Sequence, residues 1–413
     1  MNSIQRITLA VALALPSAAL AQVCNSTGAD GALTFNTPGV FDLDPAALNL
    51  NTAGDNVFHF TTVTIGFSTT VRLRANRMRS QRPVVFLVSG AVTIDGILDL
   101  SGAAGHLNDD IVNRGPSQPG PGGYPGGAGA KVGDVAQPGA GPGGAGVGAT
   151  TNAFGCPAAF SAQPNVNNGT FPGHCPTATT VYGNAALQPL VGGSGGSGGK
   201  AGTTLPGAGG GAGGGAIRIC SDTSINGSHV RINANGGGGG NAGSSPGAGN
   251  QGGPGSGGAI HLQAPVIGSI FGMTAQGGTS AQQDTGSNGR IRIDANNVVS
   301  TANVSPAPLL AAFAAVPLPV PPTVRIVSIN GVNVATVPQN NLVAPDVIIN
   351  TAGSVPIVVQ TTNIPNGTTA RFFISTDPGA TDIVQTATVT GNSATLNVAL
   401  PQGIDRLFVR VTF

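Results

Sequence analysis

The sequence predicts an all-β chain in two parts, a right-handed parallel β-helix (solenoid) carrying long glycine-rich insertions and then a β-sandwich. Three observations predict it. Every acidic residue is aspartate and the only lysines are Lys131 and Lys200, so two of the strongest helix formers are almost missing from 413 residues. Short apolar runs alternate with a period of two, as strands do. Glycine-rich runs stand between them, and the 67 glycines and 31 prolines mark corners and loops. A hydrophobic share of 40% argues against a disordered chain, and the length calls for at least two cores.

Taken in order, residues 1–21 read as a secretory signal peptide: Arg6, an apolar run from Ile7 to Leu15, and the small-residue site Ala19-Leu20-Ala21. The apolar run is too short to span a bilayer, and Ala21-Gln22-Val23 before Cys24 does not form a lipobox. Loss of Arg6 with this leader leaves basic and acidic residues in equal number, so bulk attraction for nucleic acid is not expected. Residues 22–82 are expected to cap the solenoid.

Residues 83–308 form the solenoid itself, with an insertion at 103–213. Segments starting at Val84, Gly215, Gly258 and Gly289 share one cadence. Their first apolar pair aligns Phe86, Ile217, Ile260 and Ile291, then Val88, Ile219, Leu262 and Ile293. A second run aligns Leu98, Val230 and Phe271, then Leu100, Ile232 and Met273. One such unit buries too few side chains to stand alone, so the units must stack, as in a parallel β-helix. The insertion, with runs such as "GGSGGSGGKAG", reads equally as flexible linker or as polyproline-II-like legs packed side by side where no Cβ intervenes.

Four cysteines in an exported chain suit two disulfides. Cys156 with Cys175 would close a local loop, a chain-entropy effect of about 3 kcal/mol, leaving Cys24 to staple Cys220. A metal site is the weaker reading, because no CxxC spacing exists and His174 is a lone candidate ligand.

On these strands and corners, residues 58–300 resemble glycine-rich secreted solenoids of the pectin-lyase-like and bacterial surface-adhesin kind. The resemblance implies a rigid extracellular scaffold. The irregular period and the long insertion depart from it, and the Gly-His-Gly and Arg-Ile-Lys signatures of polygalacturonase-like members do not occur.

Residues 309–322 are a proline-rich linker. Residues 323–413 then carry seven expected strands: 324–328, 347–349, 356–361, 370–375, 383–389, 394–400 and 407–413. Their count and spacing look like an immunoglobulin-like sandwich without the cysteine pair and tryptophan of antibody domains.

The candidate site residues fall into three groups. Arg72, Arg74, Arg77, Arg79 and Arg82 concentrate guanidinium groups suited to carboxylate or phosphate, or serve as a charged edge. Arg218, His261 and Arg292 share one outward column, a contact for an acidic glycan or an ordinary solvated rung. His106, Asp109 and Asp110, with Arg114 nearby and Asp95 and Asp99 on the preceding rung, are the best cluster for the acid and base pair that glycoside cleavage needs, or else solvated loop residues. Ser194 satisfies G-x-S-x-G in "GGSGG" but lacks the strand and helix of a nucleophile elbow.

These features predict a secreted or cell-surface structural or adhesive solenoid without catalytic activity. It would need no cofactor or metal, would have no transmembrane segment in the mature chain, and would meet extracellular polysaccharide or an envelope surface. The alternative is a polysaccharide lyase, glycoside hydrolase or carbohydrate-binding protein on the same scaffold. Binding to ice or another crystal surface through flat glycine arrays is a third reading.

Overall fold

The computed structural model describes residues 23–412 apart from 52, 109–114, 149–153, 168–173, 176–178, 228–229, 244–248, 302, 315–322, 337–344, 352, 363, 365, 376–382 and 401–406. The expected leader, 1–21, lies outside the described residues. Among the described residues all regular structure is β, in 21 strands and no helix.

The first fourteen strands fall into successive groups along the chain, joined by parallel pairing. Gly31–Phe35 (β1) and Gly39–Asp42 (β2) form the first, and Val57–Ile65 (β3) and Thr69–Arg72 (β4) the second. Val84–Val88 (β5), Val92–Ile94 (β6) and Ile97–Asp99 (β7) form the third, and Ala216–Ser221 (β8), Ser224–Asn226 (β9) and Val230–Asn233 (β10) the fourth. Ala259–Thr274 (β11), Arg290–Ser300 (β12), Val304–Ser305 (β13) and Leu309–Ala311 (β14) complete the series. Every pairing is parallel. One ladder runs β1, β3, β5, β8, β11, β12, β14. The second runs β2, β4, β7, β10, β11, β13, with β11 long enough to serve both.

Alternation explains why these sequences make these ladders. Phe58, Phe60, Phe86, Ile219, Leu262 and Ile293 point inward from the first ladder and meet Val71, Leu98, Ile232 and Met273 from the second in one core. The rings of Phe58, Phe60 and Phe86 sit 5.2 to 5.7 Å apart. Each such side chain contributes about 1.5–3 kcal/mol by burial.

The expected columns need correction in their offsets. Ile217, Ile260 and Ile291 do align, but Phe86 pairs with Ile219 and Val84 with Ile217. Leu98 likewise pairs with Ile232, not Val230. The slip of Phe86 and Leu98 is two residues, which keeps both inward, whereas Val230 pairs with Ile270, one short of the expected Phe271, where the register shifts. A period of two specifies which face a residue takes but not its offset.

Among its described residues the glycine-rich insertion is an ordered lattice, so the flexible-linker reading fails there. Tyr124, Gly127 and Ala130 donate backbone hydrogen bonds to the carbonyls of Gly193, Gly196 and Gly199. Gly193, Gly196 and Gly199 in turn donate to Gly214, Gly211 and Ala208. Gly207, Gly210 and Gly213 close the triangle onto Ala130, Gly127 and Tyr124. Bonding at every third residue is the period of a polyproline-II helix, which makes no internal hydrogen bonds and must find them laterally. At Gly196 a Cβ would lie 2.2 Å from the carbonyl oxygen of Gly253, so only glycine permits the approach. The lattice is continuous with the strands: Leu100, Gly102, Gly105 and Asn108 donate in turn to Asn233, Asn235, Gly238 and Asn241.

Two disulfides pin these parts, in the expected pairing. Cys24–Cys220 ties the N-terminal segment to β8, and Cys156–Cys175 clips the insertion, each with Cα atoms 5.5 Å apart.

The C-terminal unit is antiparallel. Thr323–Ile329 (β15), Val332–Asn333 (β16), Gly353–Thr362 (β17) and Ser393–Leu400 (β20) form a sheet in the order β16-β15-β17-β20. Ile383–Thr388 (β19), Thr369–Ser375 (β18) and Phe408–Thr412 (β21) form a second, three-stranded sheet. Ile357, Val359, Phe372, Ile374, Leu396 and Val398 share its core. The expected strand at 347–349 is not a strand. Its place in the count is taken by β16, which turns back on β15 at Asn330-Gly331, both with positive φ, as a tight hairpin requires.

Candidate functional site

Where the second ladder faces outward, its polar residues fall into register. Asp42 pairs with Arg72, Arg72 with Asp99, Asp99 with Asn233, Asn233 with Thr274, and Thr274 with Ser305. The chain direction that turns Phe41, Val71 and Leu98 inward turns this column out. Side chains tie neighbouring rungs together. Arg72 Nε donates to Asp42 Oδ1 at 2.8 Å, Thr274 Oγ1 to Asn233 Oδ1 at 3.1 Å, and Gln276 Nε2 to Ser305 Oγ at 3.1 Å.

At the N-terminal end of this column lies an open cleft of about 390 Å³. Asp42, Arg74, Asn76, Arg77, Asp99, Ser101 and Gln118 line it, with the backbone of Gly102 and Ala103. Arg74 donates to the carbonyl of Ser101 at 3.0 Å and lies 3.5 Å from Asp99, and Arg77 lies 3.8 Å from Asp44. One wall comes from the lattice, since Ala103 N donates to the carbonyl of Gln118.

The structure divides the arginine cluster. Arg72, Arg74 and Arg77 reach the cleft or its edge, each beside an aspartate. Arg79 instead turns to the carbonyls of Pro45 and Leu50, both at 3.3 Å. Arg82 holds its position through its backbone, whose carbonyl accepts from Asn56 Nδ2. Of the two aspartates expected near the catalytic cluster, Asp99 joins the cleft, while Asp95 sits at the corner between β6 and β7.

Arg218, His261 and Arg292 do share one column, but it is neither solvated nor open to a polymer. Arg218 and His261 are 4% and 2% exposed. Tyr182, Leu187, Leu190 and Phe160 pack over the edge of this face, Arg292 Nη1 reaches the carbonyl of Ala186, and Gln263 Nε2 reaches that of Ala314. The unforeseen member is Asp294, which accepts from His261 Nε2 at 2.9 Å, Gln263 Nε2 at 3.1 Å and Arg292 Nε at 2.7 Å. Burial lowers the Arg218 guanidinium to about 10 and also holds His261 below its ordinary value. Burial alone would raise Asp294, but hydrogen bonds from His261 and Arg292 outweigh it and leave its carboxyl below the ordinary value. The group is a covered structural network.

His106 is held by the lattice: its Nδ1 pairs with the carbonyl of Leu107 at 2.9 Å and its Nε2 accepts from Gly129 N at 3.3 Å. Asp109, Asp110 and Arg114 lie outside the described residues. His174 Nε2 pairs with Asp284 Oδ2 at 3.1 Å near the Cys156–Cys175 clip. Ser194 Oγ donates to the Tyr182 hydroxyl, whose own proton goes to the carbonyl of Gly192. Burial raises the Tyr182 phenol well above its ordinary value. Among the described residues no group of three or more His, Cys or Asp side chains is placed to hold a metal ion, and no helix is long and apolar enough to cross a membrane.

Sequence reasoning missed Asp42, Asn76 and Gln118 in the cleft and Asp44 beside Arg77. A signal for the two aspartates existed. "VFDLD" from Val40, "TVRLR" from Thr70 and "ILDLS" from Ile97 alternate identically, which sets Asp42, Arg72 and Asp99 in one column and Asp44, Arg74 and Ser101 in the next. Asn76 and Gln118 come from irregular segments and carry no such periodic mark.

Fold and site together define an all-β chain of parallel ladders with a polar outward column, a glycine lattice and an antiparallel C-terminal unit. Comparison with known protein families, with curated proteins and with solved structures finds no match for this chain.

Proposed function

We propose that this chain is an exported structural or adhesive protein, a right-handed parallel β-helix followed by an immunoglobulin-like sandwich, whose polar outward column contacts extracellular polysaccharide or an envelope surface. The observation that carries the reading is that column, with the cleft at its end: donors and acceptors repeat rung by rung on a face that stays accessible. Two disulfides fit an oxidising compartment, and the composition of residues 1–21 fits a leader. The lattice and its clip hold the face rigid, which suits presentation of a surface. The enzymatic alternative centred on His106, Asp109 and Asp110 has less support, because His106 is engaged by lattice backbone.

The test is retention of the oxidised chain on insoluble extracellular polysaccharide and on cell-envelope material, with reducing sugars and unsaturated products assayed in the supernatant. Retention without product supports an adhesive role. Product release abolished in an Asp109→Ala, Asp110→Ala double variant would establish the enzyme instead.

A further inference from the structure

We propose that the cleft and its column take an uncharged, hydroxyl-rich polysaccharide, not a polyanion. The inference rests on the adhesive reading above and names its ligand class.

Charge balance carries it. Asp42, Asp44 and Asp99 stand against Arg72, Arg74 and Arg77, with each guanidinium within 3.8 Å of a carboxylate. An incoming carboxylate or phosphate would have to displace an aspartate and then lie beside it, so attraction to one partner is offset by repulsion from the other. A hydroxyl group faces no such conflict, because it donates to carboxylate and accepts from guanidinium at once. The paired charges therefore present a surface matched to neighbouring hydroxyls.

The rest of the column continues with uncharged hydrogen-bonding groups, with Arg231 exposed two residues before Asn233 on the same strand. Beyond Asp99 come Asn233, Thr274 and Ser305, with Asn235 and Gln276 alongside. Five steps of about 4.8 Å set a contact span of roughly 24 Å across the rungs. Among the described residues no aromatic side chain lines the cleft, so binding there depends on hydrogen bonds and on the number of rungs engaged. Affinity should rise with oligomer length up to that span.

The experiment titrates the full-length oxidised chain with a soluble neutral glucan and a neutral galactomannan, and in parallel with polygalacturonate and alginate, at low and at high salt. The expected result is binding of a neutral polymer whose dissociation constant changes less than about twofold with salt, since screening acts on net charge. An Asn76→Ala, Gln118→Ala double variant should weaken it by about tenfold, or 1.4 kcal/mol. Both residues are exposed, so the variant keeps the fold, checked by an unchanged melting profile.

Binding confined to the acidic polymers and falling steeply with salt overturns the inference while leaving an adhesive role standing. Neutral binding undiminished in the double variant places the contact elsewhere and also overturns it. Retention on no polysaccharide or envelope surface at all sinks the adhesive reading itself.

Discussion

Gly196→Ala separates an ordered glycine lattice from a flexible insertion by the size of its effect. In a segment that stays flexible after folding the alanine would narrow the folded and unfolded ensembles alike and leave stability almost unchanged. In the lattice its Cβ would lie 2.2 Å from the Gly253 carbonyl oxygen and 2.5 Å from the carbon. A comfortable C···O contact is roughly 3.3 Å, so the two legs must part by about 1 Å. That separation carries two backbone bonds at 2.9 Å, Gly253 N to Ser197 O and Ser256 N to Ser194 O, beyond hydrogen-bonding range. Overpacking together with two buried unmet bonds comes to about 3–5 kcal/mol of destabilisation. Gly243→Ala serves as the control, because its Cβ would meet only Asn108 Oδ1 at 3.7 Å. The assay is calorimetric unfolding of oxidised protein, following the transition of the N-terminal unit. A Gly196→Ala variant as stable as Gly243→Ala would refute the lattice.

Four further outcomes follow from the core, the covered network and the staple. Phe86→Ala should cost about 3–5 kcal/mol in denaturant unfolding, since its ring contacts those of Phe58 and Phe60 with no exposure. Asp294→Asn removes the carboxylate that His261 and Arg292 share, and should cost about 3–5 kcal/mol at neutral pH. Acidification of the parent chain should act in the same direction. With His261 held below 6.5, the unfolded chain takes up a proton that the folded one refuses, so stability falls as pH drops below that value. With Asp294 held below 3.8, its contribution is present above that value and is lost as pH falls through its lower folded value. Stability unchanged between neutral pH and the His261 range would contradict this description. Replacing Cys24 and Cys220 by serine opens a loop of sequence separation 196 and should cost about 5 kcal/mol on the chain-entropy model, read as a shift in denaturation midpoint.

What the sequence discloses about this molecule follows from what its periodicities encode. Alternation showed that Phe86, Ile219 and Ile232 face inward, and the irregular glycine runs marked where strands stop. It did not disclose that Phe86 stacks on Ile219, because a slip of two leaves the same pattern. The arginine cluster was visible as a cluster, but its partners Asp42 and Asp44 stand some thirty residues earlier and meet Arg72 and Arg77 only once the first two groups of strands pair. Arg218, His261 and Arg292 were placed in the right column with the wrong surroundings. Strand register reports which face a side chain takes, whereas the cover over that face comes from Phe160, Tyr182 and Leu187, residues without periodicity of their own. The two expected disulfides needed only local loop closure and elimination. Order in the insertion was undecidable from composition, since glycine allows both a coil and a close-packed leg.

The most direct measurement on the central claim is backbone amide hydrogen exchange through the glycine-rich legs. Lateral bonding predicts protection of every amide from Gly192 to Gly199 and from Gly207 to Gly215, and of Tyr124, Gly127 and Ala130. An opening free energy of about 4 kcal/mol corresponds to slowing on the order of a thousandfold. Exchange of these amides at the rate of a free chain, with the strands of the parallel ladders still protected, would contradict it.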